Sequence, residues 1–214
     1  VACIVFGWIG VDTVDNHAVR LLIIEHGADV ILCQLGIELG SSGTETPTVP
    51  CPEAYKVADY FFDPKLNFFF DRRLKDDSFI EEPGCEAYTP LWTQIATQEQ
   101  VDKMLPMLQD TAKFSTYIPF PTIAADNPKY NPRGYWRGPI WLDQTYFAIR
   151  GLRNYGYHKL ADEYTMQVFD RLNGLKEGAP IHENYGTHTG ERLKAPHFSW
   201  SSSHLLMMYD AYGK

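Results

Sequence analysis

Apolar residues recur at helical spacing in four segments between residue 101 and the end of the chain. The four stripes are Val101, Met104, Leu105 and Leu108; Ala148, Ile149, Leu152 and Tyr155; Ala161, Tyr164, Val168 and Leu172; and Leu205, Met208, Tyr209 and Tyr212. Spacings of three and four residues place such side chains on one face of an α-helix. No strand-like pattern alternates with these stripes. The sequence therefore predicts an all-α fold of antiparallel helix pairs rather than βαβ units.

Residues at the ends of these segments agree with helix boundaries. A Thr-x-x-Gln capping box at residues 97–100 precedes the first stripe. Asp143 and Ser201 are residue types that favour N-caps, and they precede the second and fourth stripes. Gly156 and Gly174 stand where helices are expected to end.

The pattern is less decisive before residue 80. Residues 17–35 favour a helix, although their apolar runs also suit strands, and residues 40–52 are typical of a loop. Asp63-Pro64-Lys65 predicts a turn that leads into a short strand within residues 66–70.

Composition narrows the possible functions. The chain has 214 residues, is 44% apolar and carries a net charge of −8. This charge and the lack of a basic run argue against a nucleic-acid surface. No apolar run reaches the roughly 18–20 residues of a membrane helix, so no membrane partner is expected. Because the first residue is not methionine, we expect the chain to begin inside a longer reading frame.

The four cysteines do not suggest a metal or redox motif. They stand at positions 3, 33, 51 and 85 and form no C-x-x-C pair. Free thiols and disulfides both stay open. His182, Glu183 and His188 give H-E-x4-H rather than H-E-x-x-H, and Gly186 would break the helix that a zinc site of that type needs. We therefore expect no metal site and no cofactor.

Two loops between the predicted helices carry the residues best suited to chemistry. The first includes Arg133-Gly-Tyr-Trp-Arg-Gly-Pro-Ile-Trp-Leu-Asp143, and the second includes Pro180-Ile-His-Glu-Asn-Tyr-Gly186. Aromatic faces can stack on the C–H faces of a sugar, and charged groups hydrogen-bond strongly to its hydroxyls. If the helices form a ring of hairpins, these two loops lie on one face and share a pocket.

Glu183 is the best candidate for an acid or base, because neighbouring rings could exclude water from its carboxyl group. The alternative is a surface glutamate, or one paired with Arg192. Asp143 could be a catalyst, a ligand for sugar hydroxyls or a helix N-cap. Arg137 could bind a carboxylate or a pair of hydroxyls, or form a structural salt bridge. Glu86 suits the first turn of a helix, with sugar binding as the alternative.

Trp136 and Trp141 flank a Gly-Pro turn. One could stack on a substrate while the other fills the core.

These motifs resemble the C-terminal half of the catalytic domain in family-63 glycoside hydrolases, which include processing α-glucosidases (mannosyl-oligosaccharide glucosidase) and their bacterial relatives. The resemblance extends from about residue 81 to the end of the chain. It rests on the segments Gly84–Trp92, Arg133–Asp143, Ala179–Gly186 and Ala195–Ser201.

The resemblance implies part of an (α/α)6 toroid and inverting, exo-acting hydrolysis of α-glucosidic bonds in oligosaccharides. Glu183 matches the general base of the family. The substrate-binding residues that it implies are Trp136, Arg137, Trp141, Asp143, Asn184, Tyr185 and Trp200, to which we add Glu86. Periplasmic or extracellular location is slightly favoured by the same resemblance.

One element of the family pattern is missing. The general acid of the family is an Asp in a Gly-x-Asp-x-Ser-like stretch, and this chain contains none. Residues 1–214 are therefore predicted to be an incomplete, C-terminal portion of one catalytic domain. The missing half of the barrel would come from the same or another chain.

Other functions stay open at this point. The chain could be a carbohydrate-binding or accessory module without turnover, or a toroid enzyme that acts on trehalose or mannosylglycerate. A structural scaffold with no site is the remaining alternative.

Overall fold

The computed structural model describes residues 58–214 and the backbone of Ala18–Val19. Residues 58–61 are helical. The other helices in this part are α1 (Tyr88–Trp92), α2 (Gln98–Leu108), α3 (Leu142–Asn154), α4 (His158–Arg171) and α5 (Ser199–Ala211). A 3-10 turn at Cys85–Ala87 leads directly into α1. The strands are β1 (Ala18–Val19), β2 (Phe62–Asp63), β3 (Phe68–Phe69), β4 (Arg72–Arg73), β5 (His182–Tyr185) and β6 (Arg192–Pro196).

Helix α3 is the centre of the helical packing. It contacts α1, α4 and α5. Ala148, Ile149 and Leu152 are buried on it, as the second stripe predicts. Gly151 allows the close approach of α1, because a Cβ atom there would lie 2.5 Å from the Leu91 Cβ. The layered helical core predicted from the sequence is thus present in the described residues.

The all-α prediction is wrong in one respect, because the described residues also form antiparallel strand pairs. These pairs are β1 with β4, β2 with β3, and β5 with β6. In the β2–β3 pair, Asp63 Oδ1 accepts hydrogen bonds from the backbone N–H groups of Lys65 and Leu66 at 2.7 and 3.3 Å. This confirms the turn and short strand predicted there.

The β5–β6 hairpin was not predicted from the sequence. Its tight connection depends on Gly190, which has a φ of +67°. A Cβ atom there would lie 2.0 Å from the Arg171 carbonyl oxygen. Strand β5 shows no clean alternation of polar and apolar residues, and its pairing is irregular between His182 and Asn184. Such a strand is hard to recognise from periodicity.

The predicted helix ends have mixed outcomes. The capping box at residues 97–100 is confirmed, with both of its hydrogen bonds formed. Gly156 and Gly174 follow helix ends and have positive φ angles of 83° and 91°. The N-cap predictions for Asp143 and Ser201 are wrong, because both residues lie inside the helices that they were expected to begin.

In place of capping, these two side chains make other contacts. Asp143 is the second residue of α3, and its Oδ2 accepts a hydrogen bond from Gln144 Nε2 at 2.9 Å. Ser201 is the third residue of α5, and its hydroxyl donates to the Glu183 carbonyl oxygen at 3.0 Å. Trp141 and Phe198 occupy the N-cap positions without side-chain caps.

The fourth apolar stripe is only half buried. Leu205 and Met208 are buried, whereas Tyr209 and Tyr212 are 74% and 46% exposed. Leu206, which lies outside the stripe, is 59% exposed. Helix α5 therefore has apolar side chains on its exposed face as well as on the face that packs against the core.

Several predictions fall outside the described residues. They concern the loop at 40–52, the state of Cys3, Cys33 and Cys51, and most of residues 17–35. Within that last segment the described pair Ala18–Val19 forms a strand with Arg72–Arg73, so a helix continuous over 17–35 is wrong at those two positions.

Replacement of Gly151 by Ala tests the contact between α1 and α3. We expect Gly151→Ala to lower the free energy of unfolding by about 1–3 kcal/mol, because the added methyl group overpacks the helix crossing. Urea denaturation of the full chain measures this. The neighbouring, exposed Arg150→Ala is the control and should change stability by less than about 0.5 kcal/mol. A stabilising Gly151→Ala would contradict the close helix approach.

Candidate functional site: an aromatic wall beside Glu183

A pair of backbone hydrogen bonds holds the two informative loops together. Ile140 N–H donates to the Tyr185 carbonyl at 2.8 Å, and Tyr185 N–H donates to the Ile140 carbonyl at 3.1 Å. Ile140 lies in the Trp-Arg turn, here defined as residues 133–141, and Tyr185 lies on β5. The prediction that these two loops meet is confirmed.

Two buried threonine hydroxyls add hydrogen bonds to this junction between the Trp-Arg turn and β5. The Thr187 hydroxyl donates to the Gly138 carbonyl at 2.6 Å. Gly138 N–H donates in turn to Thr122 Oγ1 at 3.0 Å. Thr122 and Thr187 are buried, so each bond satisfies a polar group that would otherwise lack water. Three chain segments are thereby fixed at one point.

Gly138 is required by the path of the Trp-Arg turn. Its φ is +150°, and a Cβ atom there would lie 2.5 Å from the Asn131 carbonyl oxygen. The Asn131 N–H also donates to the Arg137 carbonyl at 2.6 Å, which closes the turn. No residue with a side chain fits this position without a backbone shift.

Three tryptophans form an aromatic wall beside the turn. Trp136 and Trp141 stack with ring centroids 4.2 Å apart and planes inclined by 6°. Trp200, at the start of α5, meets Trp141 at 5.8 Å and 65°. Trp141 is buried, whereas Trp136 and Trp200 are half-buried. This division suits one ring in the core and two with faces open to a ligand.

Glu183 lies next to this wall on β5. Its side chain is half-buried, and Oε1 accepts a hydrogen bond of 2.5 Å from the Tyr135 hydroxyl. Tyr135 packs edge-on against Trp141, with ring centroids 4.9 Å apart. Within residues 58–214 Glu183 forms no ion pair with Arg192. The carboxyl group is therefore attached to the Trp-Arg turn rather than free in solvent.

The sequence analysis did not single out Tyr135 as a site residue. It precedes Trp136 in the motif, but nothing in its neighbours indicates a hydrogen bond to a residue 48 positions away. Its positive φ of 60° is rare for a side chain of this size. That angle directs the ring towards β5, and only the folded backbone reveals it.

Asp143 is nearly fully buried, at 4% exposure. Burial raises the pKa of its carboxyl group, while the hydrogen bond from Gln144 and the nearby His204 act in the opposite direction. His204 Nδ1 lies 2.8 Å from the Trp200 carbonyl, so that nitrogen donates its proton there. His204 is thus near enough to Asp143 to affect its pKa and is tied to the backbone of Trp200.

Glu86 and Asp143 both lie near the Cys85 thiol. Burial raises the pKa of the Cys85 thiol well above its usual value, and the charges of Glu86 and Asp143 raise it further. The Glu86 carboxylate folds back over Gly84, where a Cβ atom would meet Glu86 Oε2 at 2.4 Å. Its position in the 3-10 turn before α1 is the predicted first-turn position.

Asn184 and Tyr185 are more buried than a ligand-binding role suggests. Asn184 is 0% exposed, and its amide has no hydrogen-bond partner among the described residues. Tyr185 is 2% exposed, and its hydroxyl accepts a hydrogen bond from His182 N–H at 3.0 Å. This burial favours support of the hairpin, and a substrate contact stays a prediction for both.

Arg137 is exposed, and its guanidinium forms no ion pair with residues 58–214. The structural salt bridge considered as its alternative role is therefore not seen in this part of the chain. Its place next to Trp136 leaves it available for a ligand carboxylate or hydroxyl pair.

Neither a metal-binding cluster nor a membrane-spanning helix occurs within residues 58–214. No group of three or more His, Cys, Asp or Glu side chains in this range is arranged to hold a metal ion. In the same range no helix is long and apolar enough to cross a bilayer.

Residues 54–201 match the family described as the mannosylglycerate hydrolase MGH1-like glycoside hydrolase domain. The match covers most of the chain and includes both loops of the site. The chain belongs to this family of glycoside hydrolase domains.

Similar proteins in this family are distant in sequence. A mannosylglycerate hydrolase of Thermus thermophilus is 24% identical over 142 residues, which are 66% of this chain and 33% of that protein. The mannosylglycerate hydrolase MGH1 of Selaginella moellendorffii is 24% identical over 69% of this chain and 29% of its own length. The chain thus spans about a third of the curated relatives that it matches.

Solved structures show the same fold over this domain segment. A GH63 mannosylglycerate hydrolase from Thermus thermophilus in complex with Tris aligns with a TM-score of 0.63 at 21% identity, over 73% of this chain and 36% of that one. The neutral trehalase Nth1 from Saccharomyces cerevisiae aligns at 0.61 and 20% identity, over 75% and 29% of the two chains. The expected kinship with family-63 glycoside hydrolases is confirmed.

Gly138 of this glycoside hydrolase domain provides a test of the junction. We expect Gly138→Ala to lower the free energy of unfolding by about 2 kcal/mol or more, since the methyl group meets backbone and the φ angle is strained. Urea denaturation measures this, and tryptophan emission should shift to longer wavelength as the wall opens.

Gly178→Ala is the matched control for that variant. Gly178 also has a positive φ, of +67°, but a Cβ atom there meets nothing within 4 Å. Gly178→Ala should lower the free energy of unfolding by only about 1 kcal/mol and leave the tryptophan emission unchanged. Equal effects of the two variants would show that backbone strain alone, and not the junction, is being measured.

Proposed function

We propose that this domain takes part in inverting, exo-acting hydrolysis of an α-glycosidic bond, with Glu183 as general base. The observation that carries the proposal is the half-buried Glu183 carboxylate beside the stacked Trp136 and Trp141, joined to them by Tyr135. A sugar ring stacked on this wall would present its anomeric carbon to a water molecule that Glu183 activates.

The reaction needs two carboxyl groups on opposite sides of the bond. Inverting enzymes separate them by roughly 6.5–9.5 Å, which leaves room for the attacking water. Glu183 removes a proton from that water as its oxygen adds to the anomeric carbon. A general acid outside this sequence protonates the leaving oxygen, since no matching aspartate stretch occurs in the chain.

The remaining site residues suit binding of the sugar hydroxyls. Arg137 is exposed and can donate several hydrogen bonds in one plane. Trp200 extends the aromatic wall, and Glu86 and Asp143 supply acceptors near Cys85. Because Asp143 is buried, we assign it to a hydroxyl at the bottom of the pocket rather than to the reacting atoms.

The names of the relatives bear on the choice of substrate. Several are mannosylglycerate hydrolases, which favours a small α-mannoside with an acidic aglycone over a long oligosaccharide. An α-glucoside is the second candidate, because one related mannosylglycerate hydrolase structure is described in complex with glucose. In either case we propose that the exposed Arg137 binds an acidic or polyhydroxylated aglycone.

A complete catalytic unit, we propose, needs more of the (α/α)6 toroid than the described residues provide. Helix α5 exposes the apolar residues Leu206, Met207 and Tyr209. A groove of about 760 Å³ beside it is lined by residues that include Ile181 and Leu206. Exposed apolar surface of this kind is normally covered in a soluble enzyme. The occupant would be the half of the toroid that carries the general acid, from the same or another chain.

The Glu183→Gln variant tests the proposed base. We expect hydrolysis of a glycosyl fluoride, which needs no general acid, to fall by at least about 100-fold, since general base catalysis typically contributes 10²- to 10⁴-fold. Sugar binding, followed by calorimetry, should be retained because the amide keeps the shape of the carboxyl group. Glu177→Gln, a change at an exposed glutamate between α4 and β5, is the control. Parental activity in Glu183→Gln would refute the assignment.

Glycosyl fluorides test whether the domain can act without its general acid. Fluoride leaves with little protonation, so the chain should release it from an α-mannosyl or α-glucosyl fluoride while leaving ordinary α-glycosides intact. NMR should detect the β-anomer as the first product. The preferred fluoride identifies the sugar.

Two other outcomes would overturn that interpretation. An α-anomer as first product would contradict inversion. Sugar binding without fluoride release would favour an accessory carbohydrate-binding module.

A further inference from the structure

We propose that Tyr135 is a positioning residue, whose hydroxyl holds Oε1 of Glu183 so that Oε2 faces the attacking water. This rests on the proposed role of Glu183 as general base.

The first argument is that Tyr135 provides the side-chain hydrogen bond to Glu183. The Tyr135 hydroxyl donates to Glu183 Oε1 at 2.5 Å, and within residues 58–214 no other side chain donates to that carboxyl group. A carboxylate on a half-exposed strand can otherwise rotate about its side-chain bonds. One strong, charge-assisted hydrogen bond selects one orientation and leaves the second oxygen without a protein partner in this range.

The second argument is that Tyr135 is itself held firmly. Its carbonyl accepts a hydrogen bond from Trp141 Nε1 at 3.0 Å, and its ring packs edge-on against Trp141. From β6, Lys194 Nζ lies 5.7 Å from the centre of the same ring. Tyr135 is 40% exposed, and these contacts, which do not involve Glu183, restrict its ring on the side that faces Trp141.

The third argument is backbone strain. Tyr135 has a φ of 60°, which is a strained backbone conformation for a residue with a side chain. Such strain persists where surrounding contacts enforce it, and it is enriched at active sites. In the Trp-Arg turn this conformation is what lets the ring reach across to β5.

The fourth argument distinguishes positioning from acid–base work. Burial, the hydrogen bond to Glu183 and the charge of Glu183 raise the pKa of Tyr135 to about 12. The phenol therefore keeps its proton at any pH at which a carboxylate acts as a base. Tyr135 remains a donor throughout, and the proton removed from water passes to Glu183.

The atoms of the step balance with these roles. One O–H bond of water breaks, and its proton binds Glu183 Oε2. The water oxygen forms a bond with the anomeric carbon as the glycosidic C–O bond breaks. The leaving oxygen takes its proton from the external general acid, or the leaving group departs as fluoride from a glycosyl fluoride. Tyr135 gains and loses nothing.

The kinetic test uses Tyr135→Phe in the full chain with the preferred glycosyl fluoride. The phenyl ring keeps the packing against Trp141, so only the hydroxyl is lost. We expect kcat to fall about 10- to 100-fold, the worth of one hydrogen bond to a charged group, with KM changed less than about threefold. The thermal midpoint should stay close to that of the parent.

Tyr117→Phe is the matched control, because Tyr117 is 45% exposed and its ring contacts Arg171 away from the site. It should leave kcat and KM unchanged. An unchanged kcat in Tyr135→Phe, or a change in KM alone, would overturn the proposal.

A second kinetic measurement asks whether Tyr135 acts through Glu183. In Glu183→Ala, added azide can attack the anomeric carbon directly and restore turnover without a base. Under those conditions Tyr135→Phe should have no further effect. An equal loss in the azide reaction would mean that Tyr135 contacts the substrate instead. If Glu183→Ala is as active as the parent without azide, the proposed function fails rather than the positioning role.

A third measurement needs no activity. The ¹³Cζ resonance of Tyr135, assigned by its absence in Tyr135→Phe, should show little ionisation up to about pH 11 in the parent. In Glu183→Gln its titration should move to lower pH, since burial still raises the pKa of Tyr135 but the charge of Glu183 no longer adds to that effect. Identical titration in both proteins would contradict the hydrogen bond between Tyr135 and Glu183, and with it the proposal.

Discussion

The site depends on the pairing of Ile140 with Tyr185. Two backbone hydrogen bonds there join the Trp-Arg turn to strand β5. The buried hydroxyls of Thr122 and Thr187 also bind the backbone of the turn, at Gly138. Without this junction the aromatic wall and Glu183 would belong to separate loops. A backbone contact of this kind does not depend on which side chains the two residues carry.

The helices serve this junction as a support. Helix α3 begins directly after the Trp-Arg turn, and α5 begins with Trp200 in its first turn and sends the Ser201 hydroxyl to the backbone of Glu183. Because α3 packs on both α1 and α5, movement of the wall relative to β5 is restrained on two sides. The rigid part of the domain thereby positions loop residues, the usual division of labour in enzymes.

Much of this arrangement was accessible from the sequence, and the misses share a cause. Periodicity located the helices α2 to α5, and the residue types in two loops pointed to a sugar site that includes Glu183. Asp143 was misjudged because a good capping residue inside a helix cannot be told from a cap without the backbone. Tyr135 was missed because its partner is distant in sequence and its φ angle leaves no compositional mark. The β5–β6 hairpin escaped because its pattern is irregular.

The sequence by itself determined the helical core, the chemistry available in the two loops and the kinship with family-63 glycoside hydrolases. These depend on local spacing and residue type, which a linear chain displays directly. Only the tertiary structure decided which carboxylate faces the aromatic wall, which is buried, and which tyrosine holds Glu183. Those outcomes arise from long-range pairing and from positive φ angles, and neither leaves a periodic signal along the chain.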